Sequence, residues 1–302
     1  MLPFSRVTII GLGLIGSSIA RAVRQYMPTV RLTGHDADPD VRARAAALDL
    51  ADDITDTAGA AVTDADLVIL CVPVGAMGAV GAAIAADLPA DAIVSDVGSC
   101  KAEVSRALAE ALPGATVIPA HPVAGTEQSG PEAGFATLFR GRWCIVTPPD
   151  GADPAAVERV AEFWRRLGSQ VETMAPDHHD RVLAVTSHLP HLIAYTIVGT
   201  ADDLAEVTQS EVIKFSAGGF RDFTRIAASD PTMWRDVFLA NREAVLEMLQ
   251  RFSEDLSHLQ RAIRWGDGDA LYELFARTRA IRRSIVDQGQ DDPAADFGRR
   301  HD

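Results

Sequence analysis

Three clusters hold the side chains able to do chemistry. The first is Pro119-Ala120-His121-Pro122-Val123-Ala124-Gly125-Thr126-Glu127, where one imidazole follows a short apolar run and a proline fixes the chain behind it. A neutral imidazole at the carboxyl end of a strand, here read as Thr116–Pro119, can accept a hydroxyl proton while hydride leaves the same carbon. The plainer reading is a histidine that bonds a loop carbonyl. The second cluster is Ser95-Asp96-Val97-Gly98-Ser99-Cys100-Lys101, a strand end, a Gly-Ser turn and a helix start. It puts the Ser99 hydroxyl at the same edge, either facing a ligand or capping the helix that begins near Lys101. In the third, Gly218-Gly219-Phe220-Arg221-Asp222-Phe223-Thr224-Arg225, two guanidinium groups four residues apart share a face if the stretch is helical. Paired guanidiniums suit a substrate with carboxylates, whereas a surface pairing with Asp222 and Asp230 needs no ligand at all.

His178, His179, His188 and His191 form a further group. His188 and His191 share a helix face, but the Cys and carboxylate partners of a zinc site are not at recognisable spacing, so no metal is expected. A histidine facing substrate or cofactor in Ser187-His188-Leu189-Pro190-His191 is the better reading.

These clusters need a scaffold, and the N-terminus supplies one. Val7–Ile10 reads as a buried strand, followed by Gly11-Leu12-Gly13-Leu14-Ile15-Gly16 and a small-residue helix start. A second strand follows, with Asp36 at its end. Strand, glycine turn, helix, strand and acid together make the dinucleotide pattern. Gly11 permits the turn, Gly13 lets a pyrophosphate reach the backbone, and Gly16 lets helix and strand pack closely. The free N–H groups of the helix start, from Leu14 and Ile15 onward, favour phosphate. Asp36 would bond the ribose hydroxyls and repel a 2′-phosphate, so NAD is preferred to NADP.

Short apolar strands then alternate with Ala-rich helices: Leu67–Val72, Ala92–Asp96, Thr116–Pro119, Trp143–Thr147 and Gln170–Met174. The pattern predicts an α/β Rossmann-type domain over 1–176, with one doubly wound, mostly parallel sheet. Ligands then lie at the carboxyl ends of its strands, where Val72-Pro73 joins the cofactor-binding set. From 177 to 288 the strand pattern gives way to an all-α domain, with helices expected near 177–201, 205–215, 231–263 and 269–288. A 33-residue helix over 231–263 would be about 50 Å long at 1.5 Å per residue, which points to packing against a second copy and hence a homodimer. The polar tail 289–302 is expected to be disordered, and no regulatory domain is expected after it.

The composition agrees with this picture. The 302 residues are 47% hydrophobic and 23% charged, with a formal net charge of −14. That charge argues against nucleic acid and anionic membranes, so an acidic substrate must be met by a local basic cluster. No apolar run is read as approaching the roughly 20 residues of a membrane span, and no leader precedes the first strand. Three scattered cysteines, Cys71, Cys100 and Cys144, fit a reducing cytoplasm.

In this order, GLGLIGSSIA (11–20), SDVGSCK (95–101), HPVAGTE (121–127), TSHLPH (186–191) and GFRDFTRIAASDPTMW (219–234) resemble the prephenate/arogenate dehydrogenase family of tyrosine biosynthesis. The resemblance runs from residue 7 to about 250. It implies an NAD(P)-binding Rossmann domain, a helical dimerisation domain and oxidative decarboxylation of a cyclohexadienyl acid. It further implies that Ser99 bonds the substrate hydroxyl and that Arg225 anchors a carboxylate. Arg221, Thr126, Glu127, His191 and Trp234 would complete the pocket, some of it from the partner subunit. Arg221 stands where some family members have lysine. Two other readings are a β-hydroxyacid-type dehydrogenase and a non-catalytic nicotinamide-nucleotide sensor. The first shares only the glycine turn and needs a lysine in the helical half, where Lys214 alone is present; the second would not need His121, Ser99 and Arg225 together.

Overall fold

The computed structural model describes residues 2–126, 128–203 and 218–285. The expected helix at 205–215, Glu127 and the 289–302 tail lie outside the described residues.

Six parallel strands form the main sheet: β1 (Arg6–Ile10), β2 (Arg31–His35), β3 (Asp53–Ile54), β4 (Leu67–Leu70), β5 (Ile93–Asp96) and β6 (Thr116–Val117). Their spatial order is β3-β2-β1-β4-β5-β6, so the strand order reverses between β1 and β4. Such a reversal opens a crevice at the carboxyl ends of the strands. Central strands β1 and β4 are apolar and almost wholly buried, as a sheet covered on both faces requires. The covering helices are α1 (Leu14–Tyr26), α2 (Pro39–Ala47), α3 (Ala58–Val62), α4 (Met77–Ile84), α5 (Ala102–Ala111) and α6 (Pro154–Arg166).

The expected single sheet is in fact two. β7 (Ala120–Pro122), β8 (Trp143–Val146) and β9 (Gln170–Thr173) form a separate three-stranded sheet, with β7 antiparallel to β8. His121 therefore does not trail a strand over 116–119. It lies within β7, opposite Ile145. The main-sheet strand stops at Val117, and Thr147 N–H bonding the Pro119 carbonyl leads the chain into the new pairing.

From Pro176 the described residues are helical: α7 (Pro176–Leu183), a π-helical turn (Ala184–His188), α8 (Leu189–Asp203), α9 (Gly218–Thr224), a 3₁₀ turn (Arg225–Ala228), α10 (Pro231–Ala240), α11 (Arg242–Trp265) and α12 (Gly268–Ile285). Three helices start on the same device. Asp38, Asp153 and Asp230 each accept a backbone N–H of the first turn, and a proline follows at the first helical position. The π turn ends two residues before Pro190, whose ring supplies no N–H, and Leu189 N–H reaches back five residues to Ala184.

Two expectations change here. The single helix over 231–263 is broken at Asn241 (φ −105°, ψ 33°), so the longest piece is 24 residues. In addition, the helical run Pro176–Asp203 is long and apolar enough by length and composition to cross a membrane, an 18-residue window within it having a mean hydropathy of 1.4, contrary to the sequence reading. This segment carries His179, Asp180 and His188, all buried and in hydrogen bonds to other parts of the fold.

Candidate active site

At the glycine turn, steric limits act on the backbone itself. Gly11 has φ +96°, and a Cβ there would lie 2.3 Å from the Cys71 carbonyl oxygen. A Cβ on Gly16 would lie 1.9 Å from the Gly11 oxygen, whereas one on Gly13 would meet nothing within 4 Å. The turn is thus closed at both ends and open in the middle, at the N-terminus of α1. No side chain caps that helix and no acid sits in its first turn, so its N–H groups fit a pyrophosphate. Asp36 stands at the end of β2. One of its carboxylate oxygens accepts Leu12 N–H at 2.8 Å and the other Asp38 N–H at 3.0 Å. Each oxygen keeps a lone pair for a ribose hydroxyl. Val72 and Pro73 follow β4, across the crevice.

A chain of hydrogen bonds leads to His121. Asp180 accepts His179 Nδ1–H at 2.8 Å. A neutral His179 then presents a bare Nε2, which lies 2.8 Å from His121 Nδ1. His121 must donate Nδ1–H, which leaves its Nε2 lone pair as the proton acceptor. Burial, followed by the nearby His179, Lys101 and His188, holds the His121 pKa well below the usual histidine value. His121 is therefore neutral at neutral pH.

Asp180 does more than orient His179. Its two oxygens accept Lys101 N–H at 2.7 Å and Ala102 N–H at 3.0 Å, so a carboxylate from the helical half caps α5 of the α/β half. Ser99 is half-buried in the turn ahead of this cap, and the Cys100 thiol beside it donates to the Val237 carbonyl. Lys101 is wholly buried, paired with Asp96 and donating to the Ala120 carbonyl at 2.7 Å. Burial raises the Asp96 carboxyl above its ordinary range, and the Lys101 ammonium opposes that shift.

On the helical side His191 stacks on Trp234, with centroids 3.7 Å apart and planes 25° apart. His191 Nδ1–H donates to the Ser187 carbonyl, and burial lowers its pKa, with Arg225 acting in the same direction. Trp234 packs with Cys100, Val237 and Val74, joining the two halves beside the turn that carries Ser99. His121, Ser99, His191 and Trp234 therefore converge on one region through His188 and Cys100, with Arg225 near enough to His191 to act on its charge. Arg221 does not: it is 76% exposed and faces Asp222 at 3.4 Å, the surface pairing weighed from the sequence. Thr126 lies in the loop after β7, where its hydroxyl accepts Gln128 N–H.

Sequence reasoning missed His179, Asp180, Lys101 and Asn241 as members of this network. A His-Asp pair on a helix with an apolar face, together with a lysine just after a strand-end aspartate, was the available signal.

Fold and site together define a two-part, dinucleotide-binding dehydrogenase. The comparisons make this more specific. Residues 19–173 match the family model "Prephenate dehydrogenase, nucleotide-binding domain", and residues 175–277 match "Prephenate dehydrogenase, dimerization domain". A cyclohexadienyl dehydrogenase of Zymomonas mobilis is 45% identical over 285 residues, covering 94% of this chain and 97% of that protein. A prephenate dehydrogenase of Bacillus subtilis is 32% identical over 281 residues, covering 92% and 76%. The crystal structure of the A. aeolicus prephenate dehydrogenase, in complex with hydroxyphenyl propionate and NAD+, has a TM-score of 0.86 and 35% identity, covering 93% of this chain and 98% of that one. The chain belongs to the prephenate dehydrogenase family.

Proposed function

We propose that this protein oxidises prephenate with NAD and decarboxylates it to 4-hydroxyphenylpyruvate, in tyrosine biosynthesis. The observation that carries the mechanism is the Asp180–His179–His121 chain, which aims a bare imidazole nitrogen from the edge of the second sheet. NAD, when bound along the glycine turn, accepts the hydride from the ring carbon that bears the hydroxyl. His121 Nε2 takes the hydroxyl proton as that hydride leaves. The bond to the ring carboxylate then breaks, and its electron pair restores aromaticity as CO2 departs. The proton returns from His121 to the phenolic oxygen. Ser99, at the strand edge, would bond the same hydroxyl. Arg225, beside His191 and Trp234, would anchor a carboxylate, with Thr126 and Glu127 on the loop after His121. The NAD+ and hydroxyphenyl propionate bound to the A. aeolicus relative support this reading.

Arogenate differs from prephenate by an amino group in place of the keto oxygen. The 45% identical relative is named a cyclohexadienyl dehydrogenase rather than a prephenate dehydrogenase, which favours arogenate, converted to tyrosine, as a second substrate. Absorbance at 340 nm with each substrate and each cofactor tests the whole proposal; no rise with prephenate and NAD would reject it.

Two variants test the binding roles. Arg225→Ala is expected to raise KM for prephenate by about tenfold to a hundredfold, the worth of a charge-assisted contact, with KM for NAD unchanged. An unaltered KM would remove the anchor. Asp36→Ser is expected to raise KM for NAD about tenfold and to shift the NADP/NAD preference about a hundredfold toward NADP, because the ribose contacts and the repulsion are lost together. An unchanged preference would mean that Asp36 only braces the turn through Leu12.

We assign residues 1–176 to the cofactor domain and 177–288 to substrate binding and dimerisation. Exposed Leu256, Ile263, Trp265, Tyr272, Phe275 and Ile281 on α11 and α12 support a homodimer through the helical half. A biosynthetic enzyme with three free cysteines fits the cytoplasm.

A further inference from the structure

Two ring nitrogens beside the site, His188 Nε2 and Trp234 Nε1, are buried without a hydrogen-bond partner among the described residues. Their rings meet edge to face, with centroids 6.1 Å apart. Buried hydroxyls in the same condition, such as Ser95 and Thr147, can turn toward another acceptor. A ring N–H is fixed in direction, so an orphaned one is a lasting penalty unless something arrives to accept it.

The protonation of His188 follows from its neighbour. Asn241 Nδ2 lies 2.8 Å from the Asp180 carbonyl oxygen, an acceptor only, so this atom is the amide nitrogen. Its second hydrogen faces His188 Nδ1 at 3.0 Å. Nδ1 therefore accepts, and neutral His188 carries its proton on Nε2. Burial keeps it neutral by bringing its pKa down to about 4; Asp180 opposes this, and His179 and His191 reinforce it. Asn241 is also the residue at which the expected long helix breaks, so the fold gives up helical continuity at the point where this tautomer is set.

We propose that His188 Nε2–H is a neutral hydrogen-bond donor to an oxygen of the bound cyclohexadienyl acid, and that Asn241 is the positioning residue that fixes its tautomer. The inference rests on the substrate reading above. A neutral donor suits this chemistry. One carboxylate of the substrate must leave as uncharged CO2, and a cation held against it would favour the starting state over the transition state. A neutral N–H orients an oxygen with less of that penalty. The acceptor is either the ring carboxylate or the side-chain carbonyl.

The test uses the full-length enzyme with NAD. His188→Phe is expected to raise KM for prephenate about tenfold or more, with NAD affinity and kcat within about threefold. His188→Gln, which returns an N–H near the Nε2 position, is expected to recover most of the loss. If affinity for 4-hydroxyphenylpyruvate falls in parallel, the acceptor is the side chain; if it does not, the acceptor is the ring carboxylate. An unchanged KM in His188→Phe would overturn the proposal and leave an ordered water as the occupant. Should His188→Phe fail to fold, the wild type decides. Histidine ¹⁵N spectra should show His188 protonated at Nε2 and bare at Nδ1, with the Nε2–H proton shifting when prephenate joins the NADH complex, which cannot turn over. In Asn241→Leu the opposite tautomer should become populated. A bare Nε2 or an unmoved proton overturns the donor role. Absence of prephenate turnover in the wild type would instead reject the substrate reading.

Discussion

His121→Asn is expected to lower kcat by about 10²–10⁴, the usual worth of a general base, while leaving NAD affinity unchanged. Asparagine keeps an amide near the Nδ1 position and can still bond His179, so the second sheet and the Asp180 cap should survive. What disappears is the Nε2 lone pair, and with it the acceptor for the substrate hydroxyl proton. The pH profile makes the assignment sharper. Burial first, and then His179, Lys101 and His188, depress the His121 pKa well below 6.5, so the base stays unprotonated as pH falls through the usual histidine range. Wild-type kcat should hold its plateau through pH 6.5 and decline only as pH drops to the depressed pKa. In the variant that acid limb should vanish with the base. Steady-state rates from pH 4.5 to 9 check both points. A kcat within about threefold of wild type, or an acid limb that persists in the variant, would assign the proton transfer elsewhere.

The parts that sequence reasoning recovered are those whose constraints are local. Strand, glycine turn, helix and acid lie within about 30 residues, and each is set by contacts inside one βαβ unit. The Asp-Pro helix start at Asp230-Pro231 is equally local. The parts it misread depend on partners far along the chain. β7 exists because Ala120–Pro122 pairs with Cys144–Val146, which no pattern around His121 announces. The break at Asn241 has no glycine or proline to mark it. It follows from hydrogen bonds to the Asp180 carbonyl and His188, 61 and 53 residues away. His179 reaches its partner across 58 residues. His121 was legible as a lone imidazole before a proline, but the groups that orient it were not, because they belong to the other half of the molecule. The same fact explains why the site is built this way. Asp180 caps α5 of the cofactor half and orients His179 with one carboxylate, so the position of the base and the seating of the two halves are set together.

The second large effect is expected at Lys101, which touches no substrate in this scheme. Its side chain and that of Asp96 are wholly buried, and Asp96 also accepts Gly98 N–H at 2.7 Å and Ala120 N–H at 3.3 Å. Lys101→Met removes the cation and strands the carboxylate, which should lower unfolding stability by about 3–5 kcal/mol. Pairing that change with Asp96→Asn discharges the site and keeps an oxygen for one of the two backbone N–H groups, which bond different carboxylate oxygens, so part of the lost stability should return. Activity should not return with it. Lys101 Nζ also holds the Ala120 carbonyl, one residue before His121, and methionine offers nothing there. The double variant is therefore expected to be stable yet slow, with kcat reduced and KM for NAD close to wild type, because β7 and its imidazole have lost their tether. Urea unfolding and steady-state kinetics on both variants separate the two roles. A loss below about 1 kcal/mol in the single variant would mean that water reaches Asp96 and the pair is not sealed. Full kcat in the double variant would mean that the pairing of β7 with β8 alone positions the base.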